Sequence, residues 1–299
     1  MGPSDGSAGG ATCGTASSLV EKGGAFHGQA RLTGVTDDRF TEDAEAFRRA
    51  RIARLTAAGG WLTLVARYPL EPGPNPLPIG TATLDEQGRV TLSIAPGETV
   101  ISDGVPIREK VLRSDADAGG PDHVLHGRMS YELVRRGEIF ALRVRDPESP
   151  VRHAFPGTEW FPARREWVVT GGFAPFPEER LITIPYDVGP VLSRSPGQVV
   201  LDIAGRPFRL DSLMDDERKR LFILFGDETN RDLTYPAGRF LYSSLPDPAT
   251  GSVVVDFNCA LNPACAFTEF ASCPFPPPQN RLPLRVEAGE KRYRDIDTH

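Results

Sequence analysis

Between Phe225 and Lys291 the chain gathers nearly every residue type able to hold a proton, a ligand or an unusual backbone: Asp227, Thr229, Tyr235, Arg239, Asp256, Asn258, Asn262, Cys265 and Cys273. Asp256 and Asn258 end the apolar run VVVDFN. On an extended strand both would point to one face and Phe257 to the other. A polar pair facing a core or a cleft must find partners or a ligand. Arg239 lies in GRFLY, and its planar guanidinium could grip Asp256 or Asp227 with two parallel bonds. As a site, the set reads as Arg239 anchoring a substrate carboxylate, Asp227 or Asp256 acting as general base, and Tyr235 donating a proton. Thr229, Asn258 and Asn262 would line the substrate. As architecture, the same residues read as a buried Asp-Arg-Asn network tying two strands to a loop. Both readings are open at this level.

Three of the four cysteines, Cys259, Cys265 and Cys273, fall in the same stretch. A nucleophilic role for Cys265, with Cys273 nearby, would need a thiolate beside a base or cation, and His153 in SPVRHAF is the histidine that could approach. Small buried cysteines are also common and inert, so reduced structural thiols are the default. A Cys265–Cys273 disulfide is not excluded by the spacing. No C-x-x-C and no clustered His accompanies them, so no metal is expected. Without a strand-borne G-x-G-x-x-G, a P-loop or a G-x-S-x-G, the expectation is chemistry with no cofactor.

The elements that must position these residues are mostly strands. Residues 1–30 are rich in Gly, Ser, Ala and Thr and are expected to form a flexible tail. TEDAEAFRRARIARLTA predicts one helix capped by Thr41 and ended by Gly59 and Gly60. WLTLVARYPL then reads as a strand, and PGPNPLP as a loop. From Gly80 onward short β-type runs recur, among them TATLD, RVTLSIA, IFALRVRD, EWVVT, QVVLDIAG, RLFILFGD and SVVVDFN, with DEQG and RRGE as hairpin turns. The fold class expected is mainly β, an antiparallel sandwich or barrel with an N-terminal helix. Two packed β subdomains, residues 31–175 and 176–299, would meet at a seam near Gly171 to Glu179, with one continuous unit as the alternative.

A net charge of −6 with scattered Lys and Arg argues against nucleic acid as a partner. No apolar run approaches the roughly 18 residues that span a bilayer, and the N-terminus lacks a signal pattern, so a cytoplasmic protein without membrane contact is expected. A homodimer stays open. The aromatics Trp61, Trp160, Phe161 and Trp167 are candidates for a cavity between the halves, with core packing as their other job.

Five ordered blocks, D-x-T, T-Y-x-x-G-R-x-L, D-F-N-x-x-x-N-P-x-C-A, C-P-x-P-P-x-x-N-x-L and A-G-E-K, resemble the bacterial family called domain of unknown function 1684. The earlier GWLTL, RVRD and FPGTEWFP runs are similar to it as well, so the resemblance extends from about Asp43 to Arg294. It implies no particular activity. One departure is Leu261, where the family pattern is expected to carry an aromatic before Asn-Pro. The functional expectation is an enzyme performing acid-base chemistry of hydrolase or lyase type on a small carboxylate-bearing molecule in specialised bacterial metabolism. The alternative is a non-catalytic β protein that captures a small acid.

Overall fold

Glycine and proline divide the chain into short β-type runs, and nearly every run becomes a strand. The computed structural model describes residues 37–216 and 218–293, so the expected tail over residues 1–30 lies outside the described residues. One long helix, α1 (Asp37–Thr56), leads the described chain. It starts before Thr41, which is therefore helical rather than its cap. Ten strands follow: β1 (Leu64–Leu70), β2 (Gly73–Leu77), β3 (Gly80–Leu84), β4 (Val90–Ile94), β5 (Val100–Ser102), β6 (Val105–Ile107), β7 (Glu109–Leu112), β8 (Val124–His126), β9 (Met129–Arg136) and β10 (Ile139–Arg145). After the short helix α2 (Pro150–His153) come β11 (Val168–Ile184), β12 (Val191–Ile203), β13 (Arg206–Asp215), β14 (Arg220–Asp227), β15 (Arg239–Ser244), β16 (Ser252–Asp256) and β17 (Arg281–Leu282).

The first ten strands form a six-stranded sheet, ordered β1-β10-β9-β8-β5-β6, and a four-stranded sheet, ordered β2-β3-β4-β7. The two share one core, in which Ala82, Val90 and Leu92 of the smaller sheet meet Leu133, Phe140, Leu142 and Val144 of the larger. Side chains of this size each contribute about 1.5–3 kcal/mol when fully buried. The DEQG and RRGE turns close the β3–β4 and β9–β10 hairpins as expected. Gly137, at φ 61, supplies the left-handed residue that the second turn requires. GPNPL, expected as a loop, is instead β2, the end strand of its sheet. Its prolines, Pro74 and Pro76, alternate in register opposite Thr83 and Thr81. An end strand needs ladder donors on one side only, so prolines at every second position are tolerated there.

The second half is a seven-stranded sheet ordered β15-β14-β13-β12-β11-β16, with β17 added in parallel to β14. Its end strands β15 and β16 lie against each other, so the sheet nearly closes into a barrel around Val199, Leu201, Leu210, Ile223, Phe225, Leu241, Val255 and Phe257. The fold is thus mainly antiparallel β with one leading helix. The expected seam near Gly171 to Glu179 falls inside the continuous strand β11. Helix α1 packs on the barrel, placing Phe47 with Ile184, Phe222 and Leu224, and its Leu55 joins a cluster that includes Leu62 and Leu64.

Alternation along β10 sets up the contact between the halves. Phe140, Leu142 and Val144 enter the sandwich core, which turns Ala141, Arg143 and Arg145 to the other face. On an isolated sheet that face would meet water. Here Arg143 and Arg145 are buried, because α1's successor turn at Trp61–Thr63 and parts of the second half cover them.

Candidate functional site

The motif-rich stretch folds into a clasp. Asp227 ends β14 and caps the single 3-10 turn Glu228–Arg231. Its carboxylate accepts from the backbone N–H of Val286 at 2.7 Å, from Thr229 Oγ1 at 2.8 Å, and from Arg239 Nη2 at 3.0 Å. Arg239 donates further to the carbonyls of Val286, at 2.9 Å, and Ala288. Both side chains of the ion pair are 0% exposed. Burial pushes the Arg239 pKa down, and Asp227 opposes that shift. A carboxylate saturated by donors inside a closed core holds loops together and has no path to a ligand.

Asp256 and Asn258 also turn inward. The strand stops at Asp256, so the two-residue alternation no longer applies, and Asn258 sits in the 3-10 turn Phe257–Cys259. Asn258 donates its backbone N–H and its Nδ2 to Asp256 Oδ1 at 2.9 and 2.8 Å. It also pairs with the backbone of Arg164 in both directions at 2.9 Å. Tyr235 is buried and donates its hydroxyl to the Cys265 carbonyl at 3.1 Å. Desolvation raises its pKa. Asn262 donates Nδ2 to the Lys291 carbonyl at 2.8 Å, and its backbone N–H meets Glu290 Oε2 at 2.6 Å.

Glu290 and Arg51 complete the clasp; Glu290 belongs to the A-G-E-K block, whose sequence allowed it either to reach the site or to face water, whereas Arg51 did not stand out. Glu290, in a segment that reads as a surface turn, is 0% exposed and takes Arg51 Nε at 3.0 Å. Arg51 also donates to the Asn262 carbonyl at 2.8 Å, so helix α1 is tied to the last motif block. Asn280 makes a similar clamp, bonding Asp211 N–H and C=O and the Leu224 carbonyl at 2.7–2.9 Å. Gly289 shows how close the strands of this clasp run. It has φ +82, and a Cβ there would lie 2.6 Å from the Ala260 carbonyl oxygen. Gly289→Ala is therefore expected to destabilise the fold by at least about 2 kcal/mol in urea titration.

The cysteine and histidine candidates separate. Cys265 and Cys273 form a disulfide with Cα atoms 5.5 Å apart, so neither sulfur is a nucleophilic thiolate in this state, against the default of reduced thiols. His153 ends α2 on the surface and faces Glu148 Oε2 at 3.0 Å. Among the described residues no three His, Cys, Asp or Glu side chains converge as a metal site. No helix among them is long and apolar enough to cross a membrane.

A cavity does open where the sandwich meets the barrel. It measures about 20 Å³, enough for one water, and is lined by Trp61, Arg136, Arg143, Tyr186, Phe240 and Ser272, with Ala264 and Pro274. Of the aromatics expected near such a cavity, Trp61 is there. Trp160 packs edge-on against Phe47, and Trp167 against Phe257. Leu261, the departure from the family pattern, lies in the core behind Phe240, with which it exchanges backbone bonds at 2.8 Å.

Arg143 is the unusual residue of this cavity. It is 5% exposed, its Nε is buried without a hydrogen-bond partner, and the guanidinium makes no hydrogen bond to any described residue. Its guanidinium carbon lies 5.1 Å from the centroid of the Trp61 ring. Desolvation brings its pKa down to about 10, with Arg136 and Arg145 pushing the same way and Asp115 and Glu132 opposing. The other two guanidiniums are held: Arg145 by the Gly60 carbonyl at 2.8 Å and Glu132 at 3.2 Å, Arg136 by Asp115 at 2.8 Å. Around the cavity Arg136, Arg143 and Arg145 thus stand with Asp115 and Glu132 near Arg143 and with Asp187 near Tyr186. Tyr186 faces the same space, and burial raises its pKa while Arg136 and Arg143 oppose. Its hydroxyl therefore stays protonated at neutral pH and can donate. Such donors around a partnerless guanidinium suit an anion.

No curated protein matches the chain. Among solved structures, the solution NMR structure of the uncharacterized protein from gene locus rrnAC0354 of Haloarcula marismortui is 27% identical, covering 51% of this chain and 83% of that one with a TM-score of 0.41. The five motif blocks and Tyr186, Phe240 and Ser272 of the cavity wall all lie between residues 153 and 291, whereas Trp61 and Arg143 lie outside. Over that span, residues 153–291, the chain carries the pattern of the family described as "Protein of unknown function (DUF1684)", bearing out the resemblance read from the five motif blocks, while the GWLTL and RVRD runs lie outside the match.

Proposed function

We propose that this protein captures a small carboxylate-bearing anion in the cavity between sandwich and barrel, with Arg143 as the principal anchor. The observation that carries this reading is Arg143, whose Nε is buried without an acceptor among the described residues and whose guanidinium stacks on the Trp61 ring. An uncompensated buried charge is unfavourable unless something pairs with it. An entering carboxylate would accept from Arg143, with Tyr186 as a second donor, while Trp61 and Phe240 exclude water. The anchor assigned to Arg239 from sequence thus passes to Arg143, since both Nη atoms of Arg239 are engaged by Asp227 and two carbonyls, leaving only its Nε without a partner.

Calorimetric titration with acetate, benzoate and inorganic phosphate tests this directly. Arg143→Ala is expected to weaken binding of the preferred anion at least tenfold, since a hydrogen bond to a charged group is worth about 1.5–3 kcal/mol. Unchanged affinity in that variant would remove the proposal. The pH dependence has a definite sign. Arg143 is protonated below about 10, so affinity should be flat from neutrality to about pH 9 and fall as pH rises through 10. Deprotonation of Tyr186 at still higher pH would add repulsion in the same direction.

The acid-base enzyme reading retains one supporting observation, Tyr186 in the wall of the cavity. In that case Tyr186→Phe would spare most of the binding and abolish turnover of the bound acid.

A further inference from the structure

We propose that the Cys265–Cys273 disulfide sets the affinity of this cavity, so that a dithiol reductant switches anion capture off; this rests on the reading that the cavity binds an anion. The bridge closes a loop with a sequence separation of 8. Both ends of that loop are cavity wall: Ala264 immediately precedes Cys265, and Ser272 and Pro274 flank Cys273. Between them the loop reaches the surface at Glu269.

The Cys273 end is also wired to residues of the cavity wall, and the Cys265 end is held separately. Cys273 donates its N–H to Asp187 Oδ1 at 2.9 Å, and the Asp187 N–H returns to the Cys273 carbonyl at 3.1 Å. Asp187 is the neighbour of Tyr186, so the positions of Cys273 and of this lining tyrosine are linked through one pairing. Arg67 Nη1 holds Ser272 Oγ at 2.8 Å, on the sheet row that carries Arg143, since Arg67 is the register partner of Arg143. At the other end Tyr235 holds the Cys265 carbonyl at 3.1 Å. The bridge makes these separate anchors one wall. Opening it lets the two ends move independently, and water can then reach and hydrate Arg143.

The switching step is ordinary exchange. A thiolate of the dithiol attacks one sulfur of the bridge, forming a mixed disulfide and releasing the other cysteine as a thiolate that takes up a proton. The second thiol of the reductant then displaces the first protein cysteine. Two electrons and two protons have passed to the protein, and the reductant leaves as its own cyclic disulfide.

The test uses acetate as probe and calorimetry on the full chain, oxidised, reduced with dithiothreitol, and reoxidised, together with a Cys265→Ser/Cys273→Ser double variant. Dithiothreitol is uncharged at neutral pH and does not compete for the guanidinium. The expected result is acetate binding in the oxidised protein, at least tenfold weaker binding in both the reduced protein and the double variant, recovery on reoxidation, and unchanged circular dichroism throughout. Equal affinity in oxidised and double-variant proteins would overturn the switch and leave anion capture standing. A dithiothreitol effect that persists in the double variant would overturn it too, because other cysteines would then be responsible. Absence of acetate binding in every form, including the oxidised one, would remove the anion reading itself and the switch with it.

Discussion

Arg239→Met is expected to destabilise the protein by about 3–5 kcal/mol, the range seen when one partner of a buried ion pair is removed. The variant leaves Asp227 charged inside a core where both side chains are 0% exposed. It also strips the carbonyls of Val286 and Ala288 of their donor. Methionine fills much of the volume, so the loss is electrostatic and hydrogen-bonding rather than a cavity. Asp227→Asn combined with Arg239→Met should recover part of the deficit, because the double variant no longer buries a lone carboxylate. Urea unfolding of the two single variants and the double variant closes a thermodynamic cycle. A coupling near zero would mean that Asp227 and Arg239 do not depend on each other, against the geometry of the clasp.

The clasp explains why the motif blocks were legible and their purpose was not. Strand positions follow from period-two alternation bounded by Gly and Pro, and so β3, β4, β10, β12, β14 and β16 can be read directly from TATLD, RVTLSIA, IFALRVRD, QVVLDIAG, RLFILFGD and SVVVDFN. β2 could not be read so, because whether GPNPL is a loop or an end strand depends on which neighbour lies beside it. The site raises the same difficulty more sharply. Asp, Arg, Asn and Tyr in ordered motifs suit a pocket and a buried network equally well, and only the distances from Asp227 to Val286, Thr229 and Arg239 separate the two. Glu290 and Arg51 are 239 residues apart, so no local pattern announces their pairing. Arg143 was visible only as part of an alternating run, L-R-V-R, whose polar face a single sheet would give to water. Its burial arises from the second half of the chain covering that face.

Arg143→Leu should move stability in the opposite direction from Arg239→Met while abolishing anion binding. Both arginines are buried, but Arg239 donates to one carboxylate and two carbonyls, whereas Arg143 stacks on the Trp61 ring and has an Nε with no acceptor among the described residues. Because the pKa of Arg143 in the fold is depressed to about 10, folding disfavours its charged form, and this penalty is present at all pH values below about 10 and relieved above it. Removing the charge at neutral pH should therefore stabilise the anion-free protein by about 1–3 kcal/mol, an amount reduced by whatever water reaches the cavity. Urea midpoints at pH 7 measure the gain, and acetate calorimetry on the same sample measures the loss of binding. The two readouts together discriminate: a variant that loses stability as well as binding would make Arg143 a packing residue, since a side chain kept for a ligand carries its penalty only until the ligand arrives. Saturating acetate should accordingly raise the midpoint of the unaltered protein and leave that of Arg143→Leu unmoved, because only a group that binds the native state selectively shifts the unfolding equilibrium.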